Sequence, residues 1–131
     1  MKPHILDIPK YLDLRGNLSF IEEFTHLPFK IRRVYWIYDV PGGEYRGGHA
    51  FRETEELIVA LSGSFEVVLQ DKDRDYKFLL NRSYFGLYVP KMCWRKIENF
   101  STNSLALIIA STEYNESDYI RDFEEFKQLA S

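Results

Sequence analysis

Gly43-Glu44-Tyr45-Arg46-Gly47-Gly48-His49-Ala50-Phe51-Arg52-Glu53-Thr54-Glu55-Glu56-Leu57-Ile58-Val59-Ala60-Leu61-Ser62-Gly63 is the stretch whose reading decides the fold. Pro41-Gly42-Gly43 breaks the chain where it begins. Towards its end, Glu56–Leu61 is a short apolar run that enters Ser62-Gly63-Ser64 and continues into Phe65–Gln70. Two such runs around a tight turn predict a hairpin. In its second arm Phe65, Val67 and Leu69 share one face. Further upstream, His49 and Phe51 have the same strand parity, so their side chains also share a face.

The same grammar extends in both directions. Asn17–Glu23, Ile31–Tyr38, Tyr76–Leu80, Tyr84–Val89, Arg95–Asn99 and Leu105–Ala110 read as further strands, with a charged loop at Asp71–Asp75. Turn signals recur at roughly 8–12-residue intervals, the pattern of an all-β sandwich or barrel. About ten strands are expected on that spacing. The tail differs. Asn115-Glu116-Ser117-Asp118 offers several N-caps, and Ile120, Phe123, Phe126 and Leu129 recur at helical spacing. That predicts one amphipathic C-terminal helix over about residues 117–129, in a single domain spanning 1–131.

Composition excludes several function classes. The chain has 131 residues and a net charge of −3, with no basic run beyond Lys30, Arg32 and Arg33. Neither a nucleic-acid nor an anionic-membrane partner is expected on that balance. The lone Cys93 excludes an internal disulfide, and one cysteine with three histidines cannot build a cysteine-rich zinc site. Met1–Asp7 lacks the apolar stretch of a signal peptide, and no segment has the length of a membrane span. A cytoplasmic protein is the expectation.

Spacing carries the chemistry. Cupin barrels show Gly, five residues, His-x-His, three or four residues, Glu, six residues, Gly. Gly43, His49, Glu56 and Gly63 fit every interval, and Phe51 stands in place of the second histidine. The second half of that pattern contains a proline and ends in His-x-x-x-Asn. Pro90 and Asn99 fit it, with Arg95 at the histidine position. A metal cupin needs three or four converging ligands. Phe51 donates nothing, and Arg95 is a permanent cation. The expectation is therefore a cupin-type jelly-roll β-barrel without metal or other cofactor.

The chain resembles the dTDP-4-keto-6-deoxy-glucose 3,4-ketoisomerases, sugar-nucleotide cupins of the FdtA/WxcM-like group. The resemblance runs nearly end to end. It includes Leu14-Arg15-Gly16-Asn17-Leu18, Ile31-Arg32-Arg33-Val34-Tyr35-Trp36-Ile37-Tyr38-Asp39, Arg46-Gly47-Gly48-His49-Ala50, Gly86-Leu87-Tyr88-Val89-Pro90 and Asp118-Tyr119-Ile120-Arg121. It implies a homodimer that binds a dTDP-linked keto-sugar in deoxyamino-sugar biosynthesis for surface polysaccharide. It also implies a base at His49, which removes the C3 proton so that the ketone moves from C4 to C3 through an enediol. The family reads His-Ala-His where this chain reads His49-Ala50-Phe51.

An enolising base near neutral pH, with a donor or cation at the developing oxygen, suits imidazole and guanidinium. His49, Tyr35 and Arg95 are accordingly the expected catalytic residues, Tyr35 as a proton relay and Arg95 at the keto oxygen. A buried ion pair with Glu56 is the alternative for Arg95. Arg15 and Arg46 are expected at the pyrophosphate. Asn17 is expected at the sugar, Tyr38 and Trp94 at the base or the pocket mouth, and Phe51 beside His49. Two other functions stay open: a sugar-nucleotide binder without turnover, suggested by Phe51, and a keto-sugar epimerase.

Overall fold

In the computed structural model, which describes residues 1–131, the alternation of Phe65, Val67 and Leu69 becomes one wall of a double-sheet core. The strands are β1 (His4–Asp7), β2 (Lys10–Tyr11), β3 (Leu18–Ser19), β4 (Arg33–Tyr38), β5 (Arg46–Phe51) and β6 (Glu56–Ser62). They continue as β7 (Phe65–Gln70), β8 (Asp75–Leu80), β9 (Phe85–Val89), β10 (Trp94–Glu98), β11 (Leu105–Ala110) and β12 (Tyr119–Ile120). Ten of them form two five-stranded antiparallel sheets, ordered β1-β9-β6-β11-β4 and β12-β5-β10-β7-β8. This is the expected cupin-type jelly roll. Of the early strand expected over Asn17–Glu23, only Leu18–Ser19 forms a ladder, with Lys10–Tyr11, and Glu23 makes an isolated bridge to Leu27.

The core lies between the sheets. Ile58, Ala60, Leu87, Ala106 and Ile108 from one sheet meet Phe65, Val67, Leu69, Leu80 and Ile97 from the other. The outer face of the first sheet is covered in part by Ile8, Leu27 and Phe29, which pack on Leu57, Val59, Tyr88 and Ile109. That second contact explains why β6 is apolar from Leu57 to Leu61 rather than alternating.

Two residues of the spaced pattern have backbone reasons to be there. Gly63 turns the β6–β7 hairpin at φ +68°, and a Cβ there would sit 2.5 Å from Ser101 Oγ and 2.8 Å from Ser104 Cα. Asn99 ends β10 in the left-handed region at φ 55°, and its side-chain amide donates to Glu66. Such positions favour Gly and Asn respectively.

The C-terminal helix is shorter than expected. Helix α1 spans Phe123–Ala130, with Asp122 as its N-cap accepting from Glu124 N at 3.2 Å. Residues 116–118 form a single 3₁₀ turn capped by Asn115, and Tyr119–Ile120 pair with Phe51 and Ala50 of β5. The sheet edge takes these two residues because their backbone groups gain partners there that an earlier helix start would forgo. Ile120 still packs with Phe126 on Ala50, so the apolar periodicity was a real packing signal. No helix is long and apolar enough to cross a membrane.

Candidate active site

Register builds the site. On β5 and β10, His49 is directly opposite Arg95, and on β5 and β12, Phe51 is directly opposite Tyr119. Side chains opposite one another across antiparallel strands share a face. All four therefore point into the barrel. Tyr35 arrives from β4 of the other sheet, with Glu56 from the first residue of β6.

Glu56, Arg95 and Tyr35 form a buried triad. The Arg95 Nε–Glu56 Oε1 contact, at 2.6 Å, is an ion pair rather than an aligned hydrogen bond. Arg95 Nη2 donates to the Tyr35 hydroxyl at 2.6 Å, and that hydroxyl donates to Glu56 Oε2. Both charged side chains are essentially inaccessible to solvent. Burial pushes the Tyr35 phenol strongly up, with Glu56 adding to the shift and Arg95 opposing it. The triad locks Arg95 in one orientation and leaves its Nη1 buried without a protein partner.

His49 is 9% exposed, and its Nε2 is likewise buried without a partner. Its pKa is lowered to about 3, first by burial, then by the positive field of Arg95, Arg121 and Arg33, with Glu116 opposing. The imidazole is thus neutral and able to accept a proton. Its ring meets Phe51 edge-on at 4.9 Å and Tyr119 at 5.0 Å.

These groups open onto a cavity of about 420 Å³ lined by Tyr35, Tyr45, Arg46, His49, Arg95, Tyr119 and Arg121, among others. A second hollow of about 390 Å³ adjoins it and shares Trp36, Ile37, Tyr45 and Arg46. Together they make an elongated, arginine-rimmed cleft with a neutral base at its inner end. Two unpartnered buried nitrogens in such a cleft mark the place of a polar ligand.

Of the residues expected from sequence, His49, Tyr35, Arg95 and Phe51 meet here and Arg46 stands on the rim. Tyr38 lines only the outer part of the cleft, and Trp94, Arg15 and Asn17 lie apart from it. Trp94 has opposite parity to Arg95 and packs outside the barrel, against Phe123 and Phe126 of the helix. Tyr38 points outward with Val34 and Trp36 and reaches only the adjoining hollow. Arg15 is 90% exposed and paired with Asp13, and Asn17 lines a groove on the outer face of the first sheet. Tyr119, Arg121 and Arg33 were not singled out from the sequence. Their signal was present in Asp118-Tyr119-Ile120-Arg121 and in the alternation of Arg33, Tyr35 and Ile37. Glu56 belongs to Arg95 and Tyr35 rather than to a metal set, and no three His, Cys, Asp or Glu side chains are gathered anywhere.

A jelly roll with a neutral histidine and a locked arginine at the base of an arginine-rimmed cleft defines a cupin equipped for proton transfer beside an anionic ligand. The family described as FdtA: WxcM-like, C-terminal matches residues 1–131. The chain belongs to that family. It is 38% identical, over 98% of its length and 92% of the relative's, to the TDP-4-oxo-6-deoxy-α-D-glucose-3,4-oxoisomerase of Aneurinibacillus thermoaerophilus. Among solved structures it is similar to a 3,4-ketoisomerase from Helicobacter canadensis, with TM-score 0.95, 40% identity and coverage of 99% and 98% of the two chains. It is also similar to a sugar 3,4-ketoisomerase from Thermoanaerobacterium thermosaccharolyticum solved with TDP, with TM-score 0.95, 30% identity and coverage of 98% and 94%. Its likeness to a dTDP-4-dehydrorhamnose 3,5-epimerase of Bacillus anthracis, at 17% identity and TM-score 0.78 over 89% of this chain and 76% of that one, is one of fold alone.

Proposed function

We propose that this isomerase moves the ketone of dTDP-4-keto-6-deoxyglucose from C4 to C3, in the synthesis of deoxyamino sugars. One observation carries the reading: the unpartnered Nε2 of a neutral, buried His49, beside the unpartnered Nη1 of Arg95. A neutral imidazole accepts the proton at C3 as the C4 carbonyl takes up the electron pair. Arg95 Nη1, held by Glu56 and Tyr35, stabilises the oxygen on which charge develops. Re-protonation at C4 completes the transfer. Arg46 and Arg121 at the rim receive the pyrophosphate, and Phe51 supplies an apolar wall. Arg15, solvent-exposed and paired with Asp13, and Asn17, on the outer face of the first sheet, are not part of this proposed site within one protomer.

The test is incubation with the substrate in deuterated water, read by NMR. Deuterium at the carbon next to the ketone and a ketone at C3 are expected. Exchange no faster than in buffer, from folded protein, overturns the reading. An unmoved ketone with an inverted centre identifies an epimerase.

The protein is also proposed to act as a homodimer. Val34, Trp36 and Leu61 are about half exposed on the outer face of the first sheet, beside an apolar groove of about 780 Å³. A second copy covers such a face. Light scattering should give twice the mass of one chain, and Trp36→Asp should reduce it. A monomeric wild type refutes the dimer.

A further inference from the structure

The pattern His49-Ala50-Phe51 leaves one imidazole in a reaction that moves protons at two carbons and two oxygens. Three phenols line the cavity: Tyr35, Tyr45 and Tyr119. Tyr35 is committed, since its hydroxyl accepts from Arg95 and donates to Glu56. Tyr45 lies on the exposed rim, against the backbone at Gly48 and the ammonium of Lys96. Tyr119 lies deeper. Its strand places it opposite Phe51, and its ring centroid is 4.7 Å from that of Phe51 and 5.0 Å from that of His49.

Two further features set Tyr119 apart. Of the two less exposed phenols of the cavity, Tyr35 has its hydroxyl bonded to Glu56 and Arg95. That of Tyr119 has no partner in the protein and is free for a ligand. Its surroundings are cationic: the Arg121 guanidinium stacks 4.3 Å from the ring centroid, and Arg95 is close enough for Coulombic coupling. Each guanidinium is held in place by a carboxylate, Arg121 by Glu116 and Arg95 by Glu56.

Its position is enforced. The carboxylate of Asp118 accepts from Glu53 N at 2.7 Å, Thr54 N at 3.2 Å and Thr54 Oγ1 at 2.5 Å. These bonds tie the residue preceding Tyr119 to the loop between β5 and β6, so the short strand β12 cannot slip along its neighbour. The ring is thereby kept beside the imidazole.

We propose that Tyr119 is the second proton-transferring group, exchanging one proton with the two vicinal oxygens of the sugar while His49 moves the proton on carbon. The proposal rests on the ketoisomerase reading above. The cycle balances without a co-reactant. In the first half, His49 takes the proton from C3, the C3–C4 double bond forms, and the Tyr119 hydroxyl gives its proton to O4. The result is a neutral enediol, a phenolate and an imidazolium. In the second half, the phenolate takes the proton from O3, the C3 carbonyl forms, and the imidazolium protonates C4. Both residues return to their starting states. A phenol suits this role because phenols and enediol hydroxyls are acids of similar strength, so neither half is steeply uphill.

The test is Tyr119→Phe, measured with dTDP-4-keto-6-deoxyglucose. The expected kcat is down about 100- to 1000-fold with KM changed by less than about threefold. Deuterium uptake at C3 should fall less than ketone transfer, because Arg95 still stabilises the first enolate. An unchanged melting temperature and unchanged dTDP affinity by calorimetry show that the fold survives. If the wild type turns over and Tyr119→Phe keeps kcat within about threefold, the role is refuted. If the wild type itself neither exchanges nor isomerises, the ketoisomerase reading fails instead. Should the phenylalanine variant not fold, 3-fluorotyrosine at position 119 decides. It should move the alkaline limb of the kcat profile to lower pH, and an unmoved limb overturns the assignment.

Discussion

Replacing Glu56 with Gln probes the triad that holds the site together. Gln keeps the shape of the side chain and can still accept from Tyr35. It removes the only charge that compensates Arg95, whose guanidinium is fully buried. Breaking a buried pair from one side costs about 3–5 kcal/mol, since the remaining charge is stranded away from water. Unfolding entropy of about 2.1 cal/mol/K per residue gives roughly 0.28 kcal/mol/K for this chain. The expected drop in melting temperature is therefore about 11–18 °C, read by differential scanning calorimetry at pH 7.5. The triple variant Tyr35→Phe, Glu56→Leu, Arg95→Met removes all three polar groups together. It should recover most of the loss, because no unpaired charge or hydroxyl remains. A Glu56→Gln protein that melts within about 3 °C of wild type would refute the claim that this pair is buried and coupled.

Asp118→Asn should cost about 1–3 kcal/mol, because the amide cannot accept from Glu53 N, Thr54 N and Thr54 Oγ1 together. Its kcat should fall as well, since β12 carries Tyr119, and a stability loss with intact kcat contradicts that link. Gly63→Ala should destabilise by about 1–3 kcal/mol, against at most about 1 for Gly43→Ala in urea unfolding. Both have positive φ, but only Gly63 has neighbours within 4 Å of an added Cβ. His49 contributes a pH dependence of stability. Its folded pKa, about 3, is below the ordinary value of 6.5, so the unfolded chain binds more protons in between and stability falls as pH drops through that window. Going from pH 7 to pH 5 should cost the wild type about 2 kcal/mol more than His49→Asn, and equal losses would rule out a buried neutral imidazole.

The fold was largely legible because its signals are local. Gly63 marks a turn that only a residue without Cβ can make, and the alternation in Phe65–Gln70 reports which face is inward. The spacing of the cupin pattern pointed to His49 and Arg95, and the register puts them opposite one another. The residues that lie away from His49 within the protomer are those judged by type without parity or register. Trp94 differs from Arg95 by one position, and that step turns an aromatic from the cavity to the helix. Tyr38 lies three residues from Tyr35, an odd step that puts it on the opposite face. Arg15 and Asn17 belong to a segment whose route no local pattern reports. Tyr119 was hidden by the helical periodicity of Ile120, Phe123 and Phe126 around it. Those apolar residues do pack together, yet the backbone enters the helix only at Phe123.

A base with a pKa of about 3 binds a proton weakly, which appears at odds with removing one from carbon. The causes of the shift resolve the conflict. After burial, the depressing influences are Arg95, Arg121 and Arg33, so part of the shift is a field that an anion offsets. Arg95 and Arg121 face the cleft with His49, and Arg121 is one of the two residues proposed to receive the pyrophosphate. Binding therefore raises the basicity of His49 as the substrate arrives, and the imidazole reaches useful strength only in the complex. The acid limb of kcat/KM, which reports free enzyme, should fall well below pH 6.5. The limb of kcat, which reports the complex, should lie at least about one unit higher. Arg121→Gln should narrow the gap by raising the free-enzyme limb, since one depressing charge is gone. Coincident limbs in the wild type would mean that the arginines do not tune the base, and that burial alone sets it.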